Sequence, residues 1–103
     1  MIRGVGSDTN PRDGDRVKIE VDLEGGVVMA ARVAGSGCEV SAKASSALTR
    51  LARGRARSEA LSLSVADVTG QIGALDDEQE RCVIAAIGAL RAAIVDAHLK
   101  ATA

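Results

Sequence analysis

A chain of 103 residues that is 47% apolar yet contains no Phe, Tyr or Trp has room for one domain, residues 1–103, around a thin core of Val, Ile, Leu and Ala. Thirteen Lys and Arg against fourteen Asp and Glu give a formal net charge of −1, without the positive excess that a nucleic-acid partner calls for. No apolar run approaches the ~20 residues of a membrane span, and Met1 to Pro11 carries no leader-like apolar stretch; no membrane partner and a cytoplasmic location are therefore expected.

The first element in chain order is a short strand near Ile2 to Val5, with only two apolar residues among glycines. From Arg16 to Leu23 every second residue is apolar (Val17, Ile19, Val21, Leu23) with charged residues between, the period of a half-buried strand. Glu24-Gly25-Gly26 supplies a tight turn, and a β-branched run from Val27 to Val33 completes an antiparallel hairpin before Gly35 and Gly37.

Beyond Gly37 the period becomes helical. Val40, Ala44, Ala47, Leu48 and Leu51 share a stripe, so a helix is expected over about Cys38 to Arg53, with Gly54 as its stop. Arg50, Arg53, Arg55 and Arg57 form a solvated helix end in which cations complement the dipole. Ser58 is expected to cap a weaker helical stretch through Val68, interrupted by Gly70 and Gly73. Asp76 caps a last helix to about Leu99, with an acidic first turn and an apolar stripe of Val83, Ile87, Leu90 and Ile94. Strands first and helices afterwards predict an α+β fold, a small antiparallel sheet of two to three strands with helices packed on one face.

Three places hold candidate metal ligands: Asp13 and Asp15 ahead of the central strand, Cys38 at the start of the first helix, and Cys82 early in the last. The two cysteines suit free thiols or metal thiolates in a reducing compartment better than a disulfide. A sulfur at a helix N-terminus is favoured as thiolate by the dipole and free N–H groups, and Gly35 and Gly37 leave its approach open. Taken alone, the same residues also fit inert buried thiols and turn-capping aspartates. His98, at a polar helix end, and Glu39, a single carboxylate beside Cys38, carry no comparable signal.

Asn10-Pro11-Arg12-Asp13-Gly14-Asp15 resembles the Asn-Pro-x-Cys-Gly-Asp loop of iron–sulfur cluster assembly scaffolds of the IscU, SufU and NifU type. Gly35-Ser36-Gly37-Cys38-Glu39-Val40-Ser41, continuing to Ser46, is similar to that family's Gly-x-Gly-Cys-x-(Ile/Val)-Ser-x-Ala-Ser motif. Arg81-Cys82, followed by Ala85, Ala86, Leu90, Ala93 and Ile94, resembles its third-cysteine helix.

The resemblance, spanning Asn10 to His98, implies a SufE/NifU-like fold and a carrier rather than an enzyme. Such scaffolds hold a [2Fe–2S] cluster or Zn²⁺, take sulfur from a cysteine desulfurase and pass clusters to recipient apoproteins. Transferred by position, the metal ligands are Asp13, Asp15, Cys38 and Cys82, with Asp13 in place of the first cysteine; the sulfur acceptors are Cys38 and Cys82. A carboxylate is a harder ligand than thiolate and cannot carry a persulfide, so weaker cluster binding is expected. Arg81 replaces the histidine of IscU-type members, and no Leu-Pro-Pro-Val-Lys segment is present for an Hsp70 chaperone. The family's N-terminal helix has no counterpart, which leaves an apolar face expected to favour a homodimer or a covering partner. Two other roles remain open: a cluster-free member that competes for the desulfurase surface, and a sulfur acceptor that builds no cluster.

Overall fold

The computed structural model describes residues 1–12 and 14–103. Three strands, β1 (Ile2–Thr9), β2 (Arg16–Glu24) and β3 (Val27–Gly35), precede four helices, α1 (Glu39–Ala52), α2 (Arg57–Leu61), α3 (Val65–Ile72) and α4 (Asp77–Thr102). The fold is α+β, as the order of periodicities predicts.

The strands form an antiparallel sheet in the order β1-β2-β3, with β2 in the centre. Its alternation is used in full: Val17, Ile19, Val21 and Leu23 are all buried against the helices. Between β2 and β3 the turn places Gly25 at φ 58° and Gly26 at φ 77°, the left-handed pair that a tight hairpin requires. On the outer face Arg32 pairs with Glu20 at 2.9 Å and with Asp22 at 3.1 Å, and Arg3 reaches Asp22 at 3.3 Å. Water therefore meets charge on that side of the sheet.

The edge strand β1 runs on to Thr9, well past the expected end at Val5. Gly4 and Gly6 face α4, whose backbone at Ala89, Ala93 and Ala97 occupies the space that side chains would need. Glycine here permits close strand–helix packing, and the same absence of side chains erases the apolar alternation that marks a strand.

In α1 the buried stripe is Ala44, Ala47, Leu48 and Ala52, joined by Ser41, Ser45 and Thr49. The stretch expected as one weak helix from Ser58 is two helices, because Ser64 and Asp67 form a capping box that starts α3 afresh. Gly70 lies inside α3, and Gly73, at φ 97°, ends it. Asp76 caps α4 through Gln79 N–H at 2.8 Å, and the helix continues past Leu99 to Thr102. By length and hydropathy α4 is apolar enough to cross a membrane. Its buried residues, among them Val83, Ala86, Leu90, Ala93, Ile94 and Ala97, make it the central core helix, which accounts for the same composition. Its exposed side carries Ile84, Val95 and Leu99, and Met1, Val5 and Met29 are exposed elsewhere.

Candidate metal centre

Three element ends meet at one edge of the sheet. The first is the β1–β2 loop, closed by Asn10 N–H to the Asp15 carbonyl at 2.8 Å and by Gly14 N–H to the Asn10 carbonyl at 2.8 Å. Gly14 takes a left-handed φ of 76° to make that closure. Asn10, only 3% exposed, also accepts from Arg12 N–H through Oδ1 at 3.1 Å. The loop thus delivers Asp15 to the base of β2.

The second end is the N-terminus of α1. Cys38 has an extended φ of −147° and is the N-cap itself, its sulfur accepting from Ser41 N–H at 3.3 Å. A sulfur thus fills the place that Ser, Asp or Asn usually takes at a helix start. Ser41 Oγ lies 3.0 Å from the same sulfur. The third end is the start of α4, where Cys82 is 7% exposed and its sulfur accepts from Asn10 Nδ2 at 3.8 Å.

The Cys38 and Cys82 sulfurs are 3.6 Å apart, and one carboxylate oxygen of Asp15 completes a trio whose atoms all lie within 4.8 Å of one another. Sequence separations of 44 residues between the cysteines and 23 between Asp15 and Cys38 are closed by the fold. Asp13 lies outside the described residues. Gly37 packs directly on Asp15: a Cβ there would stand 2.6 Å from Oδ1. Burial pushes the Cys82 thiol up, and the adjacent Cys38 sulfur adds to the effect.

An open groove of about 270 Å³, lined by Asn10, Arg12, Glu78, Gln79, Arg81 and Cys82, leads from solvent to this sulfur. Glu39 is not part of the trio and forms an exposed pair with Lys43 at 3.5 Å. His98 lines a separate pocket with Gly25 and Gly26, at the opposite end of β2 from Asp15. Sequence reasoning missed Asn10 and Ser41 as supports of the two sulfurs. Ser41 was detectable in principle, since the third residue after an N-cap is where the cap bond lands; the Asn10 bond to Cys82 spans 72 residues and has no local signal.

The chain matches the family of the NifU-like N terminal domain over residues 1–103. It belongs to that family. Among similar proteins, the nitrogen fixation protein NifU of a Nostoc species is 33% identical over 82 residues, 80% of this chain and 27% of that protein. The iron–sulfur cluster assembly scaffold protein IscU 1 of Archaeoglobus fulgidus is 32% identical over 93 residues, covering 90% of this chain and 61% of that protein. The zinc-dependent sulfurtransferase SufU of Bacillus subtilis is 36% identical over 55 residues, 53% of this chain and 37% of its own. This NifU-like domain therefore spans between about a quarter and three fifths of the relatives it matches.

As a coordination site, the trio of this NifU-like domain offers two soft sulfurs and one hard oxygen, a donor set suited to zinc or to iron in a cluster. A tetrahedral centre with metal–sulfur bonds of about 2.3 Å separates two ligand sulfurs by about 3.8 Å. The 3.6 Å spacing of Cys38 and Cys82 fits that edge without rearrangement of the backbone.

Proposed function

We propose that this NifU-like domain is an iron–sulfur cluster assembly scaffold in which Asp15, Cys38 and Cys82 hold the metal. The observation that carries the reading is the convergence of two thiols and a carboxylate within 4.8 Å, brought by three separate elements. The names of the archaeal and Bacillus relatives, a cluster assembly scaffold and a zinc-dependent sulfurtransferase, support it. The metal held there is a [2Fe–2S] cluster or Zn²⁺. Asp13, which lies outside the described residues, remains a candidate fourth ligand on the sequence resemblance alone, and a carboxylate there is a harder donor than the family's thiolate.

In this role the domain is a carrier and not an enzyme. Sulfur comes from a cysteine desulfurase and the finished cluster goes to recipient apoproteins. Cys38, half-buried, is the more exposed of the two sulfurs and the first acceptor, and Cys82, buried at the base of the groove, is the second. Binding a metal requires both thiols to lose their protons, and Asn10 Nδ2 and Ser41 N–H are placed to stabilise the resulting charge.

Anaerobic reconstitution with ferrous iron, sulfide and a thiol tests this directly. The expected product absorbs in the visible range, and Cys38→Ser or Cys82→Ser abolishes the colour. A colourless wild-type product without bound iron or zinc overturns the assignment.

A further inference from the structure

Two thiols in contact do more than share a metal. We propose that Cys38 and Cys82 form a resolving pair that turns a persulfide received on Cys38 into free hydrogen sulfide, leaving an internal Cys38–Cys82 disulfide. The proposal rests on the reading of Cys38 as a sulfur acceptor and adds what becomes of the sulfur when no metal is bound.

The geometry separates the roles of the two residues. Cys38 sits after exposed Gly35, Ser36 and Gly37, where no side chain bars a donor. Cys82 is the more buried of the two, 7% exposed at the base of the groove beside Asn10. The two sulfurs stand 3.6 Å apart, close to van der Waals contact, and each is held in place: Cys38 by Ser41 N–H and Oγ, Cys82 by Asn10 Nδ2. After a donor's outer sulfur is transferred to Cys38, the atom facing Cys82 is the inner sulfur of the new persulfide. Attack there breaks the S–S bond to the outer sulfur, whereas attack on the outer sulfur would only move it to Cys82.

The step balances without an outside oxidant. Cys38–S–SH and Cys82–SH become Cys38–S–S–Cys82 and H₂S; the two cysteine sulfurs are oxidised, the sulfane sulfur is reduced, and the Cys82 proton leaves with it. A second turnover requires a dithiol reductant of the thioredoxin class to reopen the disulfide. A metal on both thiolates blocks the reaction, so sulfide release belongs to the metal-free protein.

Reduced, metal-free protein mixed under argon with a tertiary alkyl persulfide tests the idea, because the hindered inner sulfur of that reagent directs attack to its outer sulfur. Trapping with a bimane reagent should find about one hydrosulfide per chain, and mass spectrometry a chain about 2 Da lighter, as an internal disulfide requires. Peptide mapping should recover the Cys38 and Cys82 peptides linked. Cys82→Ser, or Cys82→Ala if the serine variant folds poorly, should stop at a species about 32 Da heavier, with its sulfur on Cys38 and no release. Zinc-loaded wild type should release none. Wild type that keeps its persulfide as long as the Cys82 variants overturns the proposal. Zinc titration of the same reduced preparation reads the scaffold assignment separately, so either idea can fail while the other stands.

Discussion

The Asp15 carboxylate occupies the space that a side chain at residue 37 would need. A Cβ on Gly37 would lie 2.6 Å from Asp15 Oδ1 and 2.8 Å from its Cβ and Cγ, so the Gly-x-Gly before Cys38 serves the neighbouring loop as much as its own. Gly37→Ala should displace Asp15 from the two sulfurs while leaving the fold intact, since residue 37 is exposed and outside every helix and strand. Zinc affinity measured by competition with a chromophoric chelator should fall about 10- to 100-fold, the range for lost support of a metal ligand. Gly35→Ala, with open space around its Cβ position, is the control and should change little. Equal affinities for wild type and Gly37→Ala would remove Asp15 from the ligand set.

Proton competition sets the pH dependence of loading. The Cys82 thiol is raised by burial and by its Cys38 neighbour, so in the metal-free fold it holds its proton through neutral pH and above. Metal binding must expel that proton. Apparent zinc affinity should therefore rise with pH, by about tenfold per pH unit for each proton displaced, and fall correspondingly as the solution is acidified. Calorimetric titrations in buffers of different ionisation enthalpy would count the released protons directly. An affinity that stays flat between about pH 6 and 8 would mean the thiols do not take part.

Central elements announced themselves in the sequence, and the edges did not. β2 is legible because Val17, Ile19, Val21 and Leu23 face a core and the residues between them face water, and β3 because a β-branched run follows the Gly25-Gly26 turn. α4 is legible for the equivalent helical reason, with its start marked by the Asp76 capping box. β1 is only half visible, since Gly4 and Gly6 trade side chains for closeness to α4. The break between α2 and α3 depends on Ser64 bonding to Asp67, a choice between two weak helix starts that composition alone does not resolve. At the site, the thiols could be named as ligands through the resemblance of their motifs to the family's, but their 3.6 Å separation is a property of packing. Asn10 was invisible as a support because its partner sulfur arrives from the far end of the chain.

The close approach of β1 to α4 makes a sharp stability prediction. At Gly6 an added methyl would meet the Ala93 nitrogen and the Ala89 carbonyl, and at Gly4 the Ala93 carbonyl and the Ala97 nitrogen. These are backbone atoms in the core helix and cannot swing aside. Gly4→Ala and Gly6→Ala should each destabilise the protein by about 2 to 3 kcal/mol, as overpacked cores do. For a chain of this size that lowers Tm by roughly 10 °C or more. Val5→Ala, on the opposite face, should cost far less in the same thermal melts. Alanine variants at 4 and 6 that melt with wild type would show that β1 does not pack on α4 as described.

The free edge of β1 would be open to pairing with another strand, were it not sealed by an ion pair on α4. Asp96 accepts Val5 N–H at 2.9 Å and pairs with Lys100 at 2.9 Å, while Lys100 donates to the Arg3 carbonyl at 3.1 Å. Two adjacent edge groups thus find side-chain partners. The Val5 N–H, and secondarily Lys100, hold the Asp96 carboxyl below its ordinary range. A depressed folded-state value means that the seal contributes fully above the unfolded value of about 3.9 and is lost as pH falls through the lower folded one. The Val5 amide resonance should accordingly titrate with a midpoint below about 3.9. Asp96→Ala should expose the Val5 N–H at every pH and leave Lys100 without its ion-pair partner, with faster Val5 amide exchange and concentration-dependent association in sedimentation velocity. Asp96→Asn, which keeps a neutral acceptor for Val5 but loses the ion pair with Lys100, should fall between Asp96→Ala and wild type. An Asp96→Ala protein with unchanged Val5 exchange and wild-type sedimentation at high concentration would show that the edge is protected by something else.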